Sequence, residues 1–176
     1  MIAPRLHRGL LHLFRRLPVQ GRRFAVRVLN PTFSVGAVVL VERSDGRVLL
    51  VRHSYRRRWG TPGGLLNRRE TPEVAAYREV REEVGIDVDL VAEPVVVVDP
   101  TPRRVDVIFR ARPAAGVDPD SVSPRSPEIV EVGWFETGGL PELQHETAAA
   151  LRALARAAVS PPAVPLIRSV ERVADE

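Results

Sequence analysis

The spacing of apolar positions changes several times along the chain, and each change marks an element. Over 32–42, TFSVGAVVLVE, apolar residues follow one another almost without a break, the pattern of a buried strand. Ser44-Asp45-Gly46 reads as a turn and VLLVRH (48–53) as the returning strand. A polar, glycine-rich loop follows, YRRRWGTPGG (55–64). Residues 72–84 read as a helix, with Thr71 as its N-cap, Pro72 in its first position and Gly85 as its stop. IDVDLV (86–91) alternates. VVVV (95–98) and RVDVIFRAR (104–112) are further strands, joined by the turn DPTPR. Residues 113–127 form a loop, IVEVGWF (129–135) a last strand, and 140–159 a second long helix with Leu143, Thr147, Leu151 and Leu154 on one face.

The first thirty residues follow a different rule. Ile2, Leu6, Leu10, Leu13, Phe14 and Leu17 recur at three- and four-residue steps between arginines and histidines, which predicts an amphipathic helix ending before Pro18. A second short helical or irregular stretch is expected at about 21–29. The predicted organisation is a basic arm (1–30), a domain (31–160) and a C-terminal tail (161–176).

Charge sharpens that division. All 26 basic residues are arginine. The arm carries +7 and the remainder −3, so the basic character belongs to the arm. The arm is read first as docking on the body or on a second subunit, which favours a homodimer over a monomer. Contact with an anionic membrane is a weaker reading. No nucleic acid polymer is expected as a partner, because no aromatics interleave with the arginines. The absence of lysine excludes Schiff-base chemistry and a phosphate-loop lysine. The absence of cysteine excludes disulfides, thiolate zinc sites and a cysteine nucleophile, and fits a reducing, cytoplasmic setting. The four histidines, at 7, 12, 53 and 145, have no metal-ligand spacing and read as structural or exposed.

The chemistry concentrates in 64–86, GLLNRRETPEVAAYREVREEVGI. Glu79, Glu82 and Glu83 fall at helix positions 0, +3 and +4 and so share one face. Three carboxylates held together repel one another, and a hard cation such as Mg²⁺ or Mn²⁺ relieves that cost. Gly63 and Gly64 permit close backbone approach, and a carbonyl there can add a ligand. Arg78 is placed to pair with Glu70. The plainer alternative is a solvated acidic face with arginine partners.

The whole stretch resembles the box of the Nudix hydrolase family, G-x5-E-x7-R-E-U-x-E-E-x-G-U, where U is a bulky aliphatic residue. Gly64, Glu70, Arg78, Glu79, Val80, Glu82, Glu83, Gly85 and Ile86 occupy its defining positions, with Trp59 and Pro62-Gly63-Gly64 ahead of it. The resemblance covers about 32–158. It implies an α/β fold, an α/β/α sandwich with a mixed sheet, and Mg²⁺- or Mn²⁺-dependent hydrolysis of a pyrophosphate bond in a nucleoside diphosphate linked to another group. It implies that Glu79, Glu82 and Glu83, with the Gly63 carbonyl, hold the metal, and that Glu70 and Arg78 brace the loop and helix. A later carboxylate often joins such a site; Glu128 is preferred here over Glu131.

The substrate is less defined. One of Arg56, Arg57 and Arg58 is expected to grip phosphate oxygens. Tyr55 and Trp59 are the base-facing candidates, whereas Phe109 and Trp134 read as core. The added segment of coenzyme A hydrolases and the SQPW array of NADH hydrolases are missing. Pro100 and Pro102 straddle a position where ADP-ribose hydrolases often carry proline, within an ordinary turn sequence. Thr61 and Leu65 depart from residues common beside Pro-Gly-Gly and can reshape the pocket floor. An ADP-ribose or nucleotide-sugar substrate is favoured; the alternatives are a nucleoside triphosphate pyrophosphatase that removes oxidised nucleotides and a non-catalytic nucleotide sensor.

Overall fold

A computed structural model describes residues 18–22 and 32–159. The helix expected over 1–17, most of the stretch at 21–29 and the tail from 161 lie outside the described residues. Residues 19–22 form one helical turn, in which the Arg22 N–H donates to the Pro18 carbonyl at 3.0 Å.

The organising strand is β1 (Ser34–Val41). Successive side chains of a strand point to opposite faces, and here both faces are covered. Ala37, Val39 and Val41 enter a core with Leu49, Val51, Ala75, Ala76, Val80, Val84 and Phe109. Val38 and Leu40 enter a second core with Val48, Ile108, Ala150, Ala153 and Leu154. That double burial is why the sequence shows an unbroken apolar run.

Strand β2 is Val48–His53 and β3 is Gly63–Leu65, followed by helix α1 (Pro72–Val84). Then come β4 (Val88–Leu90), β5 (Val95–Asp99), β6 (Arg104–Pro113), β7 (Ile129–Phe135) and helix α2 (His145–Val159). The larger sheet runs β3-β1-β6-β4, with β5 also paired to β6. β1 and β6 are parallel, in register Val35↔Val105 to Val41↔Ala111, while β3, β4 and β5 pair antiparallel. β2 and β7 form a separate antiparallel pair. Helix α1 packs on β1 and β3, and α2 packs on β5, which completes the α/β/α sandwich with its mixed sheet.

Helix α1 begins and ends where local chemistry directs. The Thr71 hydroxyl accepts from the Val74 N–H at 3.4 Å, Pro72 opens the helix, and Gly85 closes it at φ 79° with its N–H on the Arg81 carbonyl. Two expectations need correction. Gly63–Leu65 is a strand rather than loop, because its backbone pairs with Gly36, Ala37 and Val38. Helix α2 starts at His145 rather than Leu140. The preceding backbone is engaged with the loop: the Trp59 N–H donates to the Glu142 carbonyl at 3.0 Å and the Gln144 N–H to the Trp59 carbonyl at 2.8 Å. The periodicity of 140–144 continues into the helix, but those backbone groups have another partner.

Leu49 is fully buried where the β2 pair meets α1 and the large sheet. Leu49→Ala should cost about 2–5 kcal/mol by transfer and cavity terms. Val96→Ala, on an exposed strand position, should cost less than about 0.5 kcal/mol. Urea unfolding of both variants checks this, and equal midpoints would contradict the burial pattern.

Candidate active site

A cleft of about 540 Å³ opens between the middle of β1, the end of β2, β3, the face of α1 that meets β3, and the start of α2. Glu79, Glu82, Glu83, Gly63, Gly64, Arg78 and Glu128 all line it, so two carboxylate sources far apart in sequence meet there. Two glycines make the approach of helix and strand possible. A Cβ on Gly64 would lie 2.3 Å from Glu79 Oε1, and one on Gly63 (φ 149°) would lie 2.3 Å from the Ala37 carbonyl oxygen. The carboxylate of Glu79 therefore lies directly over the β3 backbone.

Arg78 ties these parts together. Its Nε and Nη2 donate to the two oxygens of Glu70 at 2.7 and 2.9 Å, a bidentate pair. Its Nη1 donates to Glu79 Oε1 at 2.7 Å and to Glu82 Oε2 at 3.2 Å, and Nη2 reaches the Leu65 carbonyl at 3.3 Å. Glu70 also accepts the Asn67 N–H at 2.7 Å, which closes the loop before α1. The Arg78 guanidinium, then the Asn67 N–H, hold the Glu70 carboxyl down to about 2. Arg78 itself is held firmly protonated, chiefly by Glu70.

Glu83 is only 6% exposed. Its Oε2 accepts the Gly63 N–H at 3.2 Å and its Oε1 lies 3.6 Å from His53 Nε2. Burial pushes the Glu79 carboxyl above the ordinary range; Arg78 opposes that shift, while the charges of Glu83 and Glu82 add to it. Negative charge is thus left short of compensation. Among the described residues no three acidic or histidine side chains converge as a ready-made ligand cage, since Arg78 stands between Glu79 and Glu82. The donor set is nonetheless all oxygen and anionic, which suits a hard divalent cation.

The later acids separate cleanly. Glu128 lies in the cleft, with the Tyr55 hydroxyl donating to its Oε2 at 3.4 Å. Burial and then the charge of Glu128 raise the Tyr55 pKa, so the phenol keeps its proton. Glu131 points elsewhere and accepts from Arg52 Nε at 2.8 Å.

The expected substrate residues are only partly brought together. Tyr55 lines the cleft; Arg57, Arg58 and Trp59 do not. Arg57 and Arg58 face an adjacent groove beside His145, and Arg58 pairs with Glu142 at 2.6 Å. The Trp59 ring packs edge-on to Phe135 at 4.7 Å. The loop folds back so that Gly60 pairs with Val51, with Trp59 half-buried against Phe135 and Arg56 at the cleft. Pro100 and Pro102 lie at the β5–β6 turn, away from the cleft lining. Thr61 and Leu65 both line it.

Several cleft residues escaped the sequence reading. Arg104 reaches the cleft across Gly36, where a Cβ would stand 2.8 Å from its Nη2, and is fixed by Asp106 at 2.7 Å. His53 is drawn in from β2, Gln144 from just before α2, and Glu146 and Thr147 from its first turn. No local motif joins them; only the hydrophobic face of α2 hinted that Thr147 points inward.

A NUDIX domain family model matches residues 32–156. The chain belongs to the Nudix family. A MutT-like protein of Streptomyces ambofaciens is 36% identical over 115 residues, covering 58% of this chain and 75% of that one. An NAD-capped RNA hydrolase of Deinococcus radiodurans is 32% identical over 145 residues, covering 80% of this chain and 49% of that one. The match therefore spans about half that relative's length. An ADP-ribose pyrophosphatase from Streptococcus suis superposes with a TM-score of 0.59 at 27% identity, covering 73% of this chain and 94% of that one. The Nudix box thus sits on β3, its following loop and α1. Among the described residues no helix is long and apolar enough to cross a membrane.

The Nudix loop supplies a pH test. Glu70 titrates at about 2 when folded, against roughly 4.3 for an unfolded glutamate. Its contribution to stability is present above the unfolded value and is lost as pH falls towards 2. Glu70→Gln should therefore flatten the fall in urea midpoint between about pH 4.5 and 2. An unchanged slope would contradict the Arg78–Glu70 pairing.

Proposed function

We propose that this Nudix protein is a divalent-metal-dependent pyrophosphohydrolase acting on a nucleoside diphosphate joined to a second group, of the ADP-ribose or nucleotide-sugar kind. The observation that carries the reading is the cleft itself. It gathers three helix carboxylates and Glu128 around the same space as Arg56 and Arg104. A diphosphate is the ligand that needs both cations at its oxygens and carboxylates to hold counter-ions and move a proton. The likeness to an ADP-ribose pyrophosphatase supports the choice of the second group.

In this reading Glu79, Glu82 and Glu83, with the Gly63 carbonyl, hold Mg²⁺ or Mn²⁺. The bound cation supplies charge neutralisation at the diphosphate and a water of lowered pKa. The chain's own groups do the rest. Arg56 and Arg104 grip non-bridging phosphate oxygens and fix the diphosphate along the cleft. Glu128, exposed and with its carboxylate accepting from the Tyr55 hydroxyl, accepts the proton of the attacking water. A new P–O bond forms as the bridging P–O bond breaks, and the second phosphate leaves with the electron pair. Arg78 and Glu70 touch neither water nor phosphate; they hold Glu79 and Glu82 in place.

Phosphate release from a panel of nucleotide sugars, dinucleotides, and normal and oxidised deoxynucleoside triphosphates tests the reading. Nucleotide-sugar or ADP-ribose turnover that stops with chelator is expected. Exclusive turnover of triphosphates would move the assignment to nucleotide cleansing, and binding without turnover to a sensor. Glu83→Gln should lower kcat by at least about 100-fold, the scale of a lost preorganised charge. Near-normal turnover at saturating Mg²⁺ would remove Glu83 from the ligand set.

A further inference from the structure

Behind Glu83 lies a buried polar chain that the reaction described above does not use. His53 ends β2 and is 7% exposed; Gln144 precedes α2 and is 8% exposed. Their side chains are 91 residues apart in sequence and 3.4 Å apart in space, Gln144 Nε2 to His53 Nδ1. Alternation along β2 puts His53 on the same face as Leu49 and Val51, towards the interior. Beside it the β2–β7 register steps from Arg52↔Glu131 to His53↔Ile129, so one residue of β7 is skipped. Gly60 leaves the space for the amide, since a Cβ there would lie 2.9 Å from Gln144 Nε2.

The donors and acceptors around Gln144 fix its orientation. Its Oε1 takes the Arg56 Nη1 proton at 2.9 Å, and arginine can only donate. Its Nε2 donates to the Arg58 carbonyl at 3.1 Å, which can only accept. A flipped amide would set donor against donor and acceptor against acceptor. The Gln144 NH₂ group therefore faces His53 Nδ1, and that nitrogen must be the acceptor. The ring proton of neutral His53 then lies on Nε2, the nitrogen 3.6 Å from Glu83 Oε1.

We propose that Gln144 sets the tautomer of His53, and that His53, acting through its Nε2–H, is a positioning residue that aims the Glu83 carboxylate. The proposal rests on the reading of Glu83 as a metal ligand. A carboxylate that accepts the Gly63 N–H on one oxygen and has the His53 Nε2–H 3.6 Å from the other is restrained from both sides, which favours one direction for its free lone pairs. Arg56 joins the same chain, which links the phosphate-gripping loop to the ligand helix through four side chains. Partners that orient a metal ligand in this way are typically worth roughly 10- to 100-fold in metal affinity or activity.

The direct test is a two-bond ¹⁵N–¹H correlation spectrum of the full chain labelled at histidine, at mildly alkaline pH, with His53 assigned by its loss in His53→Gln. A protonated Nε2 and a bare Nδ1 are expected. Gln144→Glu offers only acceptors and should move the proton to Nδ1. A wild-type ring protonated at Nδ1, or a tautomer indifferent to Gln144→Glu, overturns the proposal. In turnover assays His53→Leu should lower kcat by roughly 10- to 100-fold and raise the Mn²⁺ concentration needed for half activation, with substrate KM little changed. His53→Gln, which keeps an N–H near the Nε2 position, should recover most of the loss. If His53→Leu matches wild type while Glu83→Gln is inactive, the positioning role fails and the function stands. If Glu83→Gln is active, the reading of Glu83 as a metal ligand fails, and the positioning role falls with it, whatever the tautomer.

Discussion

The guanidinium of Arg78 is the constraint on which the site depends. Glu79, Glu82 and Glu83 sit on one helical face, and burial and their mutual charge keep Glu79 reluctant to ionise. Arg78 meets that face and the loop before it at once, with a bidentate grip on Glu70 and single bonds to Glu79 and Glu82. One side chain therefore fixes the angle between loop and helix and also holds two of the three acids apart. The helix can carry this repulsion because Ala75, Ala76, Val80 and Val84 anchor it in the larger core. Packing supplies the stability, and the polar face is free to be electrostatically unfavourable.

The fold brings chemistry to that face from three directions. Strand β3 supplies glycines where any side chain would collide with Glu79 or with β1. The bulged β2–β7 pair supplies His53 and, immediately before β7, Glu128. The start of α2 supplies Gln144, Glu146 and Thr147, held to the loop by backbone bonds between Trp59 and residues 142 and 144. The carboxylates of α1, Glu128 and Glu146 thus share one cleft with arginines 56 and 104.

Much of this was legible in the sequence because its cause is local. The box residues lie within one loop and one helix, so spacing alone placed Glu79, Glu82 and Glu83 on a face and Arg78 near Glu70. Caps and turns gave the bounds of α1 for the same reason. The illegible parts depend on contacts between distant segments. Nothing in YRRRWG distinguishes Arg56 from Arg57 and Arg58 until Gly60 pairs with Val51 and turns the loop. Trp59 looked like a base-stacking residue and packs on Phe135 instead. His53 and Gln144 belong to no motif, and they meet only because the Trp59 backbone holds residues 142 and 144 beside the end of β2. The start of α2 was misplaced because backbone pairing with Trp59 overrode an apolar period.

Calorimetric titration of Mn²⁺ into the wild type and into Glu79→Gln addresses the central claim most directly, that the α1 carboxylates form a hard-cation site. The account predicts saturable binding to the wild type that weakens by at least about tenfold in the variant, the change expected for one lost anionic ligand. Equal binding by the two proteins, or none by the wild type with or without nucleotide, would contradict it.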